Sequence, residues 1–437
     1  MFETIVALAT APAKSALAII RLSGDDCFNV VSKCFSKDVT NIKERGIHFG
    51  FVKDGNKNID QVVLLTYVAP HSFTGENAVE IISHGSVLIA NQIISLLLKN
   101  GARMATNGEF SSRAFLNGKI DLIQAEAIND IINATTDEAK ELSLVALEGK
   151  TSAIFRPIKD RIAEILSQIE VNIDYPEYED IEEVNREKVK QVCEEILSEI
   201  NELIDQGEKD RVYREGLNVA IVGKPNVGKS SLLNAFLKED KAIVTDIAGT
   251  TRDIVEGEIN MGGVPIRLFD TAGLHESEDK IEQIGINKAK EAIKKADLIL
   301  FLVDETGIDN NLYNLIKDKK HLIVRNKADL VISKKDNEIY ISAKQGDIDS
   351  LVKKVKEIMN IGEVSLKPSF NNTRQLGLLK LIANNLKLAL KDIEDNQPID
   401  LVAASIMLAY NSSLDLLGEN NKNDLSAEIF SRFCVGK

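Results

Sequence analysis

No apolar run in this 437-residue chain reaches the ~18 residues a membrane-spanning helix requires, so no membrane placement is expected. The amino terminus lacks a basic region ahead of a cleavable apolar core and carries Glu3 early. Ile5 to Thr10 therefore reads as a first strand rather than a signal peptide. Cysteine is scarce, and Cys27, Cys34, Cys193 and Cys434 form neither a Cys-x-x-Cys pair nor a secreted disulfide framework, which points to a reducing, cytoplasmic compartment. Positive charge is also in deficit. A net charge of −14 and a pI of ≈ 5.1 exclude broad phosphate neutralisation as a binding mode, so any contact with RNA has to be local. The length suggests about two to four domains, each able to bury its own core.

What is present centres on Gly223-Lys224-Pro225-Asn226-Val227-Gly228-Lys229-Ser230-Ser231. Two glycines four residues apart, followed by lysine and a hydroxyl, make the phosphate-loop pattern, and its context is right: an apolar strand over Leu217 to Val222 and a helix start over Ser231 to Leu237. Gly223 and Gly228 allow a turn that aims successive N–H groups at phosphate oxygens. Lys229 adds charge at the β- and γ-phosphates, and Ser230 offers its hydroxyl to Mg²⁺.

Three further segments sit at the ends of predicted strands. Ile266 to Asp270 runs into Asp270-Thr271-Ala272-Gly273, a carboxylate near the Mg²⁺ and a flexible glycine near the γ-phosphate. Leu322 to Arg325 runs into Asn326-Lys327-Ala328-Asp329, and Ile339 to Ile341 into Ser342-Ala343-Lys344. Asp329 can accept from the N1–H and 2-amino group of guanine while an N–H near Ala343 donates to O6. Adenine would leave those groups unpaired, so the nucleotide is GTP.

The chain reads as multidomain α/β and α+β. Residues 1–119 alternate apolar runs (Leu17 to Leu22, His48 to Val52, Gln61 to Tyr67, Ala78 to Ser83) with turns, plus one helix over Val87 to Lys99. Two loops stand out there, Ser72-Phe73-Thr74-Gly75-Glu76 and Gly108-Glu109-Phe110-Ser111-Ser112-Arg113, whose composition is that of turns and caps. Residues 120–213 read as long helices, interrupted by a solvated acidic loop over 174–180 and ending near Gln206. Residues 214–362 read as an inserted, doubly wound Ras-like nucleotide domain, and 363–437 as further helices completing one bundle.

One component of a common GTPase site is missing, because Gly273 is followed by Leu274, His275 and Glu276 rather than a water-orienting glutamine. Arg252 is the one obvious candidate for an arginine finger. A bound monovalent cation is the alternative, with Asn226 and carbonyls of Thr245-Asp246-Ile247-Ala248-Gly249-Thr250-Thr251-Arg252-Asp253 as donors; a polar loop with a satisfied Asn explains the same residues.

The phosphate loop with Asn226, the 245–253 segment, Asp270-Thr271-Ala272-Gly273-Leu274, Arg113-Ala114-Phe115-Leu116-Asn117 and Phe433-Cys434-Val435-Gly436-Lys437 together resemble the MnmE (also TrmE) family of tRNA-modifying GTPases, along the whole chain. The resemblance implies a potassium-stimulated GTPase whose nucleotide domains dimerise across their nucleotides. K⁺ would be held by Asn226, Thr245, Ile247 and Thr250, and Mg²⁺ by Ser230 and Thr251, with Glu282 positioning water and Lys229 serving the phosphates. Asn226 to Ser231, Thr245 to Thr251, Asp270 to Gly273, Asn326 to Asp329 and Ser342 to Lys344 would line the GTP.

The resemblance further implies a first domain that binds a one-carbon tetrahydrofolate, in the 5,10-methylene or 5-formyl form. Arg21, Glu80, Lys119 and Lys437 would contact it, with Cys434 nearby either as a catalytic group or as a structural thiol. Implied partners are a second copy of the chain, a flavoprotein resembling MnmG that carries FAD, in a heterotetramer, and tRNA, whose wobble uridine would gain a carboxymethylaminomethyl or aminomethyl group at C5. Ala13-Lys14-Ser15-Ala16, Asn107 and Val435 depart from the family pattern. A ribosome-assembly or RNA-binding GTPase switch is the rival expectation, and folate binding separates the two.

Overall fold

The computed structural model describes residues 3–436 except 175–185, 225, 240–256, 271–291, 306, 331–337, 360, 363–366, 421–428 and 432. Two compact units emerge: residues 1–129, 146–185 and 391–437 make the first, and residues 130–145 with 186–390 the second.

In the first unit, β1 (Ile5–Leu8), β2 (Leu17–Ser23), β3 (Gly46–Asp54), β4 (Lys57–Tyr67), β5 (Ala78–His84) and β6 (Arg103–Met104) form a sheet in the order β3-β4-β5-β2-β1-β6. Neighbours are antiparallel except the short parallel pair of β1 with β6. Alternation along β2 and β5 buries Ile20, Leu22, Val79 and Ile81. The helix Val87–Lys99 turns Ala90, Ile93 and Leu97 into the same core. A helix from Lys150 to Asp174 packs along another from Ile399 to Leu417.

Sequence composition predicted a loop over Gly108 to Arg113, but Glu109–Leu116 is a helix. Arg113 on this helix is drawn into the interior by partners far away in sequence, Glu76 and the Glu3 carbonyl. Arg113 is buried beneath Glu76, and Phe110, Ala114 and Phe115 pack inward. Gly108 holds φ 65 before this helix, at a point where a Cβ would lie 2.4 Å from the Phe430 carbonyl oxygen.

The second unit holds β7 (Leu217–Gly223), β8 (Gly257–Met261), β9 (Val264–Asp270), β10 (Leu298–Val303), β11 (His321–Arg325) and β12 (Ile339–Tyr340) in the order β12-β11-β10-β7-β9-β8. All pairs are parallel except the β8–β9 hairpin, which is the Ras-like arrangement. Both faces are covered. Val219, Ile221, Leu300 and Leu302 pack with Leu232, Phe236, Leu351 and Val355 on one side, and Ala220, Val222, Phe301 and Val303 with Leu312 and Ile316 on the other. A strand buried on both sides loses the polar alternation of a surface strand, which is why Leu298-Ile299-Leu300-Phe301-Leu302-Val303 is wholly apolar. Each such side chain contributes about 1.5–3 kcal/mol on burial. The strand order reverses at β7, so a crevice opens beyond its carboxyl end.

The helix predicted to end near Gln206 runs from Arg186 to Glu215. Apolar periodicity lapses in its last turns, yet tertiary contacts hold them. The Tyr213 hydroxyl donates to the Gly362 carbonyl at 2.9 Å, and Gly207 lets the Phe370 carbonyl approach so closely that a Cβ would stand 2.2 Å from it.

Candidate functional site

The phosphate loop leaves β7 at the reversal point and re-enters helix at Lys229. Asn226 has φ 60 and Gly228 φ 101, two left-handed residues that curl the loop. The Lys229 ammonium lies inside the curl and donates to the carbonyls of Gly223 at 2.9 Å and Lys224 at 3.0 Å. An ammonium held by two backbone carbonyls next to a helix amino terminus is an arrangement that suits phosphate oxygens. Ser230 is exposed on the helix's first turn, and Val227 is buried beneath the loop.

Asn326 sits behind the cradle and is 5% exposed. Its Nδ2 donates to the Val227 carbonyl at 2.8 Å, and its Oδ1 accepts from the Ala343 N–H at 3.1 Å. The side chain predicted to face the nucleotide therefore ties the phosphate loop to the loop at Ser342-Ala343-Lys344. A Cβ on Gly228 would lie 2.1 Å from Asn326 Nδ2, so glycine is needed there for space as well as for φ.

Lys327, at φ 62, reaches Asp304 Oδ2 at 2.8 Å, and this hydrogen bond raises the ammonium's pKa. Asp304 was missed in the sequence, although an acid directly after the apolar run ending at Val303 was a usable signal. Ala328 N–H donates to the Ile341 carbonyl at 2.9 Å, and Ser342 Oγ donates to Asp329 Oδ1 at 2.9 Å. Asp329 and Ala343, predicted to read the base, and Ser342, predicted to line the nucleotide, are thus brought to one place. Lys344 is exposed beside them. Thr245 to Thr251, Thr271 to Gly273 and Glu282 lie outside the described residues, as does the side chain of Asp270.

In the first unit, Arg21 and Glu80 face one another across β2 and β5, with Arg21 Nε 2.9 Å from Glu80 Oε1. Arg21 also donates to the Gly436 carbonyl at 3.1 Å and lies 5.8 Å from the centre of the Phe110 ring. Burial, then the neighbouring Glu80 charge, raises the pKa of Tyr67, whose hydroxyl lies 3.4 Å from Glu80 Oε2. Lys119 is placed by a separate contact, its ammonium on the Pro70 carbonyl at 3.0 Å. Lys437 lies outside the described residues.

Cys434 is exposed, and its carbonyl accepts from the Gly108 N–H at 3.4 Å. By contrast, burial pushes the Cys34 thiol up to about 11 and the Cys193 thiol to about 12, which leaves both protonated and inert.

Beneath this cluster runs an ion ladder that sequence reading did not find. Arg113 is buried, with NH1 2.9 Å from Glu76 Oε2 and NH2 2.9 Å from Glu109 Oε1. Arg103 bonds the same Glu109 at 2.6 Å and Glu3 at 2.6 Å. Ser23 Oγ donates to Glu76 at 2.7 Å, so the ladder is fastened to the end of β2 two residues from Arg21. Asn117 donates to the Thr74 carbonyl at 2.7 Å, holding the 72–76 loop against the segment that carries Lys119.

Among the described residues no helix is long and apolar enough to cross a membrane. The family model described as the GTP-binding protein TrmE N-terminus matches residues 4–119, and the model described as the MnmE helical domain matches residues 122–434. The tRNA modification GTPase MnmE of Enterococcus faecalis is 39% identical over 458 residues, spanning 100% of this chain and 98% of that protein. The protein of the same name from Ureaplasma parvum serovar 3 is 42% identical over 438 residues, spanning 100% of both. With its phosphate loop on a Ras-like sheet and relatives that match it over its whole length, the chain belongs to the MnmE family of tRNA modification GTPases.

Proposed function

We propose that this protein is a cytoplasmic GTP hydrolase of tRNA modification that adds a carboxymethylaminomethyl or aminomethyl group to C5 of the wobble uridine. It works as a homodimer with an MnmG-like flavoprotein that carries FAD, and a tetrahydrofolate supplies the carbon. The observation that carries this reading is the full-length likeness to tRNA modification GTPases, joined to a phosphate cradle with Asp329 and Ala343 grouped at the same end of the sheet.

The described residues suit the groups this reading needs. GTP phosphates would take the Lys229 ammonium from the Gly223 and Lys224 carbonyls, and the first turn of the following helix would direct its N–H groups at them. Ser230 would be one Mg²⁺ ligand, with Thr251 the other. Asn226, exposed and left-handed in the cradle, would offer one oxygen to K⁺, with Thr245, Ile247 and Thr250 completing the set. Bound there, the cation would supply the transition-state charge that an arginine finger provides elsewhere, and Glu282 would position the attacking water. Arg21 suits a folate carboxylate and Glu80 the paired N–H groups of a pterin edge, while Lys119 and Lys437 add cations.

Mass spectrometry of nucleosides from total tRNA, with and without the gene, tests the reading. The C5-aminomethyl uridines should disappear without the protein, return with the intact chain, and stay absent with Lys229→Ala. An unchanged uridine profile would overturn the reading in favour of a ribosome-assembly switch.

A further inference from the structure

A chain of net charge −14 that acts on RNA needs a local cationic surface, and the fold assembles one away from the nucleotide. Strands β10 and β11 begin side by side, with Ile299 opposite His321 and the Ile299 N–H donating to the Lys320 carbonyl at 3.0 Å. The segments leading into them carry Lys294, Lys295, Lys317, Lys319 and Lys320, all exposed. Lys319 Nζ donates to the Lys294 carbonyl at 3.1 Å, which joins the two segments into one surface.

The charge there is not cancelled locally. Lys294, Lys317, Lys319 and Lys320 stand against two carboxylates, Asp297 and Asp318, an excess of two among the described residues. Among the described residues Lys294, Lys317, Lys319 and Lys320 enter no carboxylate pair. Lys320 instead caps the Ile358 carbonyl at 2.8 Å, a contact with a neutral dipole that leaves its charge in place.

We propose that this lysine surface, at the amino ends of β10 and β11, binds the phosphodiester backbone of tRNA. The inference rests on the tRNA reading above and names where the RNA lies. Exposed charges are screened beyond ~8–10 Å, so these four lysines attract phosphates while the more distant acidic charge of the chain is screened. The GTP loops leave the opposite, carboxyl ends of the same strands. At ~3.3 Å per residue the six residues of β10 separate the two sites by roughly 15–20 Å. The surface can therefore be altered without touching the nucleotide machinery.

The test measures binding of bulk tRNA to the full chain across a salt series, for the wild type, for Lys294→Gln/Lys317→Gln/Lys319→Gln, and for Lys37→Gln/Lys57→Gln/Lys99→Gln as a charge-matched control. The first triple variant should bind about tenfold more weakly at ~0.1 M salt, and its plot of log affinity against log salt should be shallower by about 2 to 3. The control should bind as wild type, basal GTP hydrolysis should be retained in both, which certifies the nucleotide unit, and unchanged thermal unfolding should certify the first unit of the control. Equal affinity and slope for the first triple variant would overturn the proposal while leaving the tRNA reading intact. Failure of the wild type to bind tRNA would overturn that reading itself. Retained tRNA binding with lost capture of the flavoprotein would assign the lysines to an acidic protein partner and also overturn the proposal.

Discussion

Replacing Asn326 with alanine removes two hydrogen bonds at once, at a position only 5% exposed. The Val227 carbonyl and the Ala343 N–H would then be buried without partners. Each orphaned group costs about 1–3 kcal/mol, so the nucleotide unit should lose roughly 2–4 kcal/mol after partial relaxation. For a unit of this size that corresponds to a fall in unfolding temperature of roughly 5–15 °C. The loss should appear without any nucleotide present, because both partners belong to the protein. GTP affinity should fall as well, since the phosphate loop and the 342–344 loop are no longer held at a fixed separation. Asn326→Asp keeps the acceptor for Ala343 but turns a carboxylate toward the Val227 carbonyl, and it should destabilise at least as much. Thermal unfolding of the nucleotide-free chain is the assay. If Asn326→Ala weakens GTP binding but unfolds within about 2 °C of the wild type, Asn326 contacts the base and the clamp reading is wrong.

Two further outcomes follow from particular contacts. Asp329→Asn keeps the oxygen that accepts from Ser342 Oγ but presents an amide N–H₂ where guanine also needs an acceptor. GTP affinity should fall roughly 30- to 150-fold, or 2–3 kcal/mol, and XTP, whose O2 accepts that N–H, should bind better than GTP; competition binding with the two nucleotides reads this directly. In the first unit, burial works to raise the Glu109 carboxyl, but hydrogen bonds from Arg103, the Thr106 N–H and Arg113 outweigh it and hold the group at about 2, below its ordinary 4.5. A depressed folded-state pKa stabilises above the unfolded value, so Glu109 contributes fully above pH 4.5 and loses that contribution as pH falls through about 2. Glu109→Gln should therefore lower the unfolding temperature at pH 6 and converge with the wild type near pH 2, and parallel curves at the two pH values would contradict the ladder.

What could be read from the sequence is what lies close together along it. The phosphate loop is nine consecutive residues whose types alone require left-handed turns and a helix start. The wholly apolar β10 declares a strand buried on both faces. The order of strands and motifs was enough to place Asp329 and Ser342-Ala343-Lys344 at strand ends, where the structure groups them. Local pattern misled where long-range partners overrule it. Glu109–Leu116 is helical because Arg113 is buried against Glu76, and the helix beginning at Arg186 continues to Glu215 because the Gly362 and Phe370 carbonyls hold its last turns. The Asn326 clamp, the Lys327–Asp304 pair and the Arg21–Gly436 contact join residues 99, 23 and 415 positions apart. No periodicity carries such pairings, because each forms only when chain closure brings two segments together and burial makes an unpaired polar group costly. The sequence by itself determined which nucleotide and which fold the second unit is built for. The tertiary structure alone decided which polar groups hold that site in shape, and it gathered lysines from two separate segments onto one surface.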